Sequence, residues 1–211
     1  GTAWGVYQAA YAHRALVPLN FKLVAVDPAH SGLSGAPGDI FQRTDPGMQH
    51  VAKWLLSVGD AAAVADVNND GLPDVFLTQP LKAEHDRAQL WLNLSGMRFE
   101  RFELPMLDDI RRLPETYGLI SSATWFDMDN DGDQDLLLGM GFGEGMLLRN
   151  DLIETGRLGF TSVGKTAGLA HYQISVATNV LDINQDGLLD VMVGNVMHRH
   201  LPGYARPTRF N

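Results

Sequence analysis

The pattern D-x-[DN]-x-D-G-x-x-D occurs three times in the 211-residue chain: DVNNDGLPD over 66–74, DMDNDGDQD over 127–135 and DINQDGLLD over 182–190. The three stretches hold three, five and three acids, eleven of the chain's 25. Carboxylates packed at alternate positions repel one another unless a cation sits among them. Asp, Asn and Gly are also ordinary turn formers, so a single copy would say little more than "turn". Three copies, starting at 66, 127 and 182 with each oxygen-bearing position filled, mark a repeat with a common job.

The flanks repeat in register. Small residues precede each acidic stretch (DAAAVADV, SSATWFDM, SVATNVLDI) and an apolar run follows it (DVFLT, DLLLG, DVMVG). Next come pieces ending in Asn, namely AQLWLN (88–93), GMLLRN (145–150) and PTRFN (207–211). Phe-led pieces complete the unit: MRFERFEL (97–104), LGFTSV (158–163) and, ahead of the first loop, DIFQRT (39–44). Short runs bounded by Gly, Pro and Asn and rich in β-branched and aromatic residues are strands. The unit is therefore four strands, with the acidic loop joining the first to the second. Repeated four-strand units predict an all-β chain built as a β-propeller. Small residues in the first strand suit the crowded propeller axis.

Residues 39–211 are expected to form this partial ring of about three blades: one outer strand, two whole blades (about 60–104 and 121–163) and three strands of another. Residues 1–38 form a separate N-terminal segment. Its WGVYQAAYAHRAL stretch, with Trp4, Tyr7, Tyr11, His13 and Arg14, suits either a helix packed on a partner or the interfacial end of an anchor. An open stack leaves unpaired edges, so further blades or a partner should cover its ends.

Alternating oxygen donors with Gly at the sixth place resemble the first half of an EF-hand loop. Side chains at positions 1, 3, 5 and 9 and the carbonyl at position 7 should converge on one ion. In order, those are Asp66, Asn68, Asp70, Asp74 and Leu72; Asp127, Asp129, Asp131, Asp135 and Asp133; and Asp182, Asn184, Asp186, Asp190 and Leu188. On this expectation the Asp133 carboxylate is spare, and each ion acts on its own blade. Gly71, Gly132 and Gly187 permit the sharp turn. Hard oxygen ligands in this number favour Ca²⁺ over Mg²⁺, with up to three ions. An EF-hand proper is excluded, because its position 12 needs Glu and here holds Leu77, Leu138 and Val193, all in strand-like runs.

DVNNDGLPDVFLT, DMDNDGDQDLLLG and DINQDGLLDVMVG resemble FG-GAP (VCBS-type) repeats, the calcium-binding propeller repeats of integrin α subunits and of many exported bacterial proteins. GFTSVGKTAGLA (159–170) is more similar to the bacterial and cartilage-acidic-protein branch. The resemblance implies a calcium-loaded propeller acting as a non-enzymatic protein-binding or scaffold module outside the cytoplasm. Integrin ligand binding is not implied, because Thr78-Gln79-Pro80, Gly139-Met140-Gly141 and Gly194-Asn195-Val196 stand where Gly-Ala-Pro would. Two alternatives remain: an accessory subunit of a membrane-associated complex docked through the N-terminal segment, and a domain of an exported enzyme.

Other classes fall away. A net charge of −9 argues against nucleic acid, and the absence of Cys removes thiolate metal sites and thiol nucleophiles. GFTSVGKT (159–166) matches a phosphate-loop pattern, but its first half is the repeat's outer strand and no helix is expected after it, so no nucleotide is expected. His198-Arg199-His200 is expected in an exposed loop, and no catalytic constellation stands out.

Overall fold

A computed structural model describes residues 22–33, 35–43, 46 and 60–195. Two four-stranded antiparallel sheets dominate it. The first runs in the order β1 (Ala62–Ala65), β2 (Asp74–Leu77), β3 (Gln89–Asn93), β4 (Phe99–Phe102). The second contains β5 (Ile120–Phe126), β6 (Asp135–Met140), β8 (Met146–Asn150) and β9 (Phe160–Ser162). A third pair, β11 (Ser175–Leu181) with β12 (Asp190–Asn195), repeats the first two strands of the unit. The short strands β7 (Gly143–Glu144) and β10 (Tyr172–Gln173) pair with each other and link the second unit to the third. No barrel closes among the described residues, and the sheets stand as blades of a partial propeller.

The register is the same in all three units. The last residue of the first strand faces the ninth loop residue: Ala65 opposite Asp74, Phe126 opposite Asp135, Leu181 opposite Asp190. Each acidic stretch is therefore a hairpin loop of equal length.

Alternation along the strands builds two cores. On β6, Leu136, Leu138 and Met140 point toward the first blade, where they join Val67, Phe76 and Leu90. Leu137 points the other way and packs with Phe126, Leu147, Val180 and Val191 toward the third unit. Both faces of β6 are covered, so its sequence is an unbroken apolar run. Phe76 meets Trp125 edge-on at 6.5 Å between centroids, and Trp125 lies 6.1 Å from Phe160. Burial of one such large side chain contributes about 2–3 kcal/mol.

The first strands of neighbouring blades lie close together. Ser121 donates from Oγ to the Ser175 carbonyl at 2.7 Å, and the Thr124 and Thr178 hydroxyls meet at 2.6 Å. A Cβ on Gly139 would fall 2.4 Å from Ser122 Oγ, which explains the small residues there.

One expected strand is absent. DIFQRT is expected as an outer strand, but Ile40–Arg43 is a helical turn, with Gln42 and Arg43 donating back to the Asp39 carbonyl. Gly38 donates to the Leu81 carbonyl, and Ala83 donates to that of Ala36, so the chain docks on the first blade just before the turn. The turn then buries Ile40 against Leu119 instead of pairing with a sheet edge. Behind it, buried Arg87 and Arg111 each donate to the other's backbone carbonyl, and Arg87 reaches Asp39 at 3.2 Å. PTRFN, residues 198–200 and the aromatic N-terminal stretch lie outside the described residues. GFTSVGKT forms β9 and a turn, with Ala167 donating to the Val163 carbonyl.

Candidate metal centre

The three loops fold by one set of hydrogen bonds. The first Asp accepts from the backbone at positions 5 and 6: Asp66 from Asp70 and Gly71, Asp127 from Asp131 and Gly132, Asp182 from Asp186 and Gly187, all between 2.8 and 3.1 Å. The fifth accepts from position 7: Asp70 from Leu72, Asp131 from Asp133, Asp186 from Leu188. At position 3, Asn68 and Asn184 donate to the fifth Asp at 3.0 and 2.9 Å. In the central loop Asp129 takes that place and brings a charge instead of a donor.

The glycines behave as the turn requires, with φ of +84° at Gly71, +98° at Gly132 and +86° at Gly187. Position 4 is left-handed too, at Asn69 (+57°), Asn130 (+59°) and Gln185 (+61°). The ligand pattern gives that position no role; its run of Asn, Asn, Gln is the available signal, since Asn tolerates this region better than most residues.

The ninth position has a second task. Asp74 accepts from the Val67 backbone at 3.0 Å and from that of Asn93 at 2.7 Å. Asp135 accepts from Met128 at 2.7 Å and from Asn150 at 2.8 Å. Each carboxylate thus staples the loop to the third strand of its blade, and both are fully buried. Asp190 accepts from Ile183 at 2.9 Å and is half-buried. The staples also meet across blades, because the Asn150 side-chain amide donates to the Val67 carbonyl of the first loop at 2.9 Å.

The position-7 residues differ among the loops. Leu72 is half-buried and Leu188 is 59% exposed, whereas Asp133 is fully buried. The Asp133 carboxylate, expected to be spare as a ligand, takes part in a hydrogen bond. Its Oδ2 accepts the Ile153 N–H at 3.1 Å, at the helical turn Leu152–Thr155 that covers the loop.

The central loop brings the acids closest. Carboxylate oxygens of Asp127, Asp129 and Asp135 lie within 4.8 Å of one another. A second set, Asp129, Asp131 and Glu154, meets the same distance. Glu154 was not among the expected ligands, since it lies outside the repeated pattern.

The crowding changes the acids' affinity for protons. Burial pushes the Asp135 carboxyl up to about 7, against the lowering effect of its two backbone donors. Burial likewise raises Asp133 to about 6, and Asp131, Glu154 and Asp129 add to the rise. Asp74 is raised by burial, and Asp129 by burial and then by Asp131, Glu154 and Asp127. Oδ2 of Asp131 and Oδ1 of Asp133 are buried without a hydrogen-bond partner among the described residues. Convergent hard oxygens with orphaned lone pairs fit a hard divalent cation held by carboxylates.

Residues 66–138 and 127–193 match a protein-family model described as FG-GAP-like repeat, and together the two matches cover more than half of the chain. Each begins on one acidic loop and runs past the next. No curated protein matches the chain.

Proposed function

Because the chain belongs to the FG-GAP-like repeat family, an interaction module of the propeller kind, we propose that it is a Ca²⁺-stabilised propeller segment that binds a protein partner outside the cytoplasm. The observation that carries this reading is the convergence of Asp127, Asp129 and Asp135 on one point, within three loops of identical register. The ion orders the hairpin between the first two strands of a blade, so folding is linked to external Ca²⁺. Millimolar Ca²⁺ outside the cell fills even weak sites of this kind. No helix among the described residues is long and apolar enough to cross a membrane. Exposed Val64 at one end of the stack and Val176 and Met192 at the other support cover by a partner or by further blades. The module is non-enzymatic on this reading, its dense acids being committed to loop hydrogen bonds and to the ion.

Calorimetric titration with CaCl₂ should show uptake of up to three ions, and EDTA should lower the melting temperature. A site filled at 100 times its Kd adds about 2.7 kcal/mol. No heat of binding together with an EDTA-insensitive melt would refute the proposal.

A further inference from the structure

We propose that Glu154 is a ligand from outside the loop for the cation of the central loop, and that it makes this loop the tightest cation site among the three. The inference rests on the calcium reading and deepens it. Glu154 stands on the helical turn Leu152–Thr155 between β8 and β9. Its carboxylate oxygen lies within 4.8 Å of oxygens from Asp129 and Asp131. The loop itself sets this position. Asn150 Oδ1 accepts the Leu152 N–H at 3.2 Å, and Asp133 accepts that of Ile153, fixing the turn over the acids.

A separate observation points to a cation in this corner. Asp133 is 0% exposed, and its Oδ1 has no partner among the described residues. Its charged neighbours include Asp131, Glu154 and Asp129, all of the same sign. The nearby cation is Arg149, 3.5 Å from Glu154, and its guanidinium is already bound to Asp151 by contacts of 3.0 and 2.6 Å. A buried carboxylate oxygen without a donor, next to a group where Glu154, Asp129 and Asp131 already bring their oxygens within 4.8 Å of one another, is a lone pair that a cation would satisfy. Carboxylate number sets both the choice of Ca²⁺ over Mg²⁺ and the affinity.

The first blade lacks this feature. After the matching Asn93 come Leu94, Ser95, Gly96 and Met97, with no acid. The central loop also carries Asp129 where the other two have Asn68 and Asn184.

The test compares the whole chain with its Glu154→Gln variant, each titrated with CaCl₂ by calorimetry and melted in EDTA and in Ca²⁺. We expect the tightest site to weaken by roughly tenfold or more, with the other affinities and the EDTA melt unchanged. Unchanged affinities at every site would overturn the role of Glu154 and leave the calcium reading standing. A variant that loses as much stability in EDTA as in Ca²⁺ would make Glu154 a structural residue and would also overturn it. No uptake by the parent chain would refute the calcium reading itself.

Discussion

Replacing Asp135 by Ala separates the two tasks of the ninth loop position. Asp135 is 0% exposed and accepts the Met128 and Asn150 N–H groups at 2.7 and 2.8 Å. Removal leaves two buried donors without partners, at about 1–3 kcal/mol each. Release of a buried carboxylate, whose pKa has risen to about 7, returns part of that. We therefore expect a net loss of about 3 kcal/mol, or about 6–12 °C in a chain of this size. The measurement is urea denaturation in EDTA, followed by tryptophan fluorescence, so that no ion contributes. Asp129→Ala is the control. Asp129 is exposed at its surface, and its pKa is raised first by partial desolvation and then by its like-charged neighbours Asp131, Glu154 and Asp127. Its removal should leave EDTA stability unchanged or slightly higher while removing the central ion's share of the gain from Ca²⁺. If Asp135→Ala costs less than about 1 kcal/mol in EDTA, below the least expected for two orphaned donors, the staple is refuted.

In EDTA the protein should lose stability as pH rises from about 4 to about 7, because the folded carboxyls at Asp133 and Asp135 hold protons that the unfolded ones release near 4. Each contributes at most about 1.4 kcal/mol per pH unit, and urea midpoints at pH 5 and 8 test the sign; Ca²⁺ should flatten or invert the trend, since only the ionised groups ligate. Phe76→Ala should cost about 3–5 kcal/mol in urea titrations and destabilise both blades together, because the 0% exposed ring packs on Trp125 of the next blade; a separate unfolding step for the second blade would contradict the shared core. Gly71→Ala should cost about 1–2 kcal/mol through backbone strain alone, since φ is +84° and a Cβ would meet no atom within 4 Å; an unchanged thermal melt would contradict the left-handed turn.

The loops and both whole blades were legible because their determinants are local. Asp, Asn and Gly dictate the turn, and apolar runs such as Leu136 to Leu138 show how many faces of a strand are covered. The misassigned stretch 39–44 carries the same local signals, Phe41 and Ile40 included. Only its tertiary surroundings distinguish it: docking at Gly38 leaves it beside Leu119 with no strand to pair with. The second task of Asp74 and Asp135 was hidden for a related reason. Their backbone partners Asn93 and Asn150 lie 19 and 15 residues away, and no spacing within the loop announces them. Glu154, the proposed ligand from outside the loop, belongs to no repeated pattern. Asp133 looked idle because its sister residues are leucines, and its burial comes from a helical turn built by later residues.

The amide bond from Asn150 to the Val67 carbonyl bears on how such chains can be cut and recombined. It makes the first loop depend on a residue 83 positions later, in the next blade. A cassette defined sheet by sheet would sever this bond at its boundary. One defined from loop to past the next loop, over 66–138, still omits Asn150. The smallest exchangeable piece that keeps the first loop whole therefore runs through Asn150. Any foreign blade grafted in the second place must offer a side-chain donor there, or the Val67 carbonyl loses this bond.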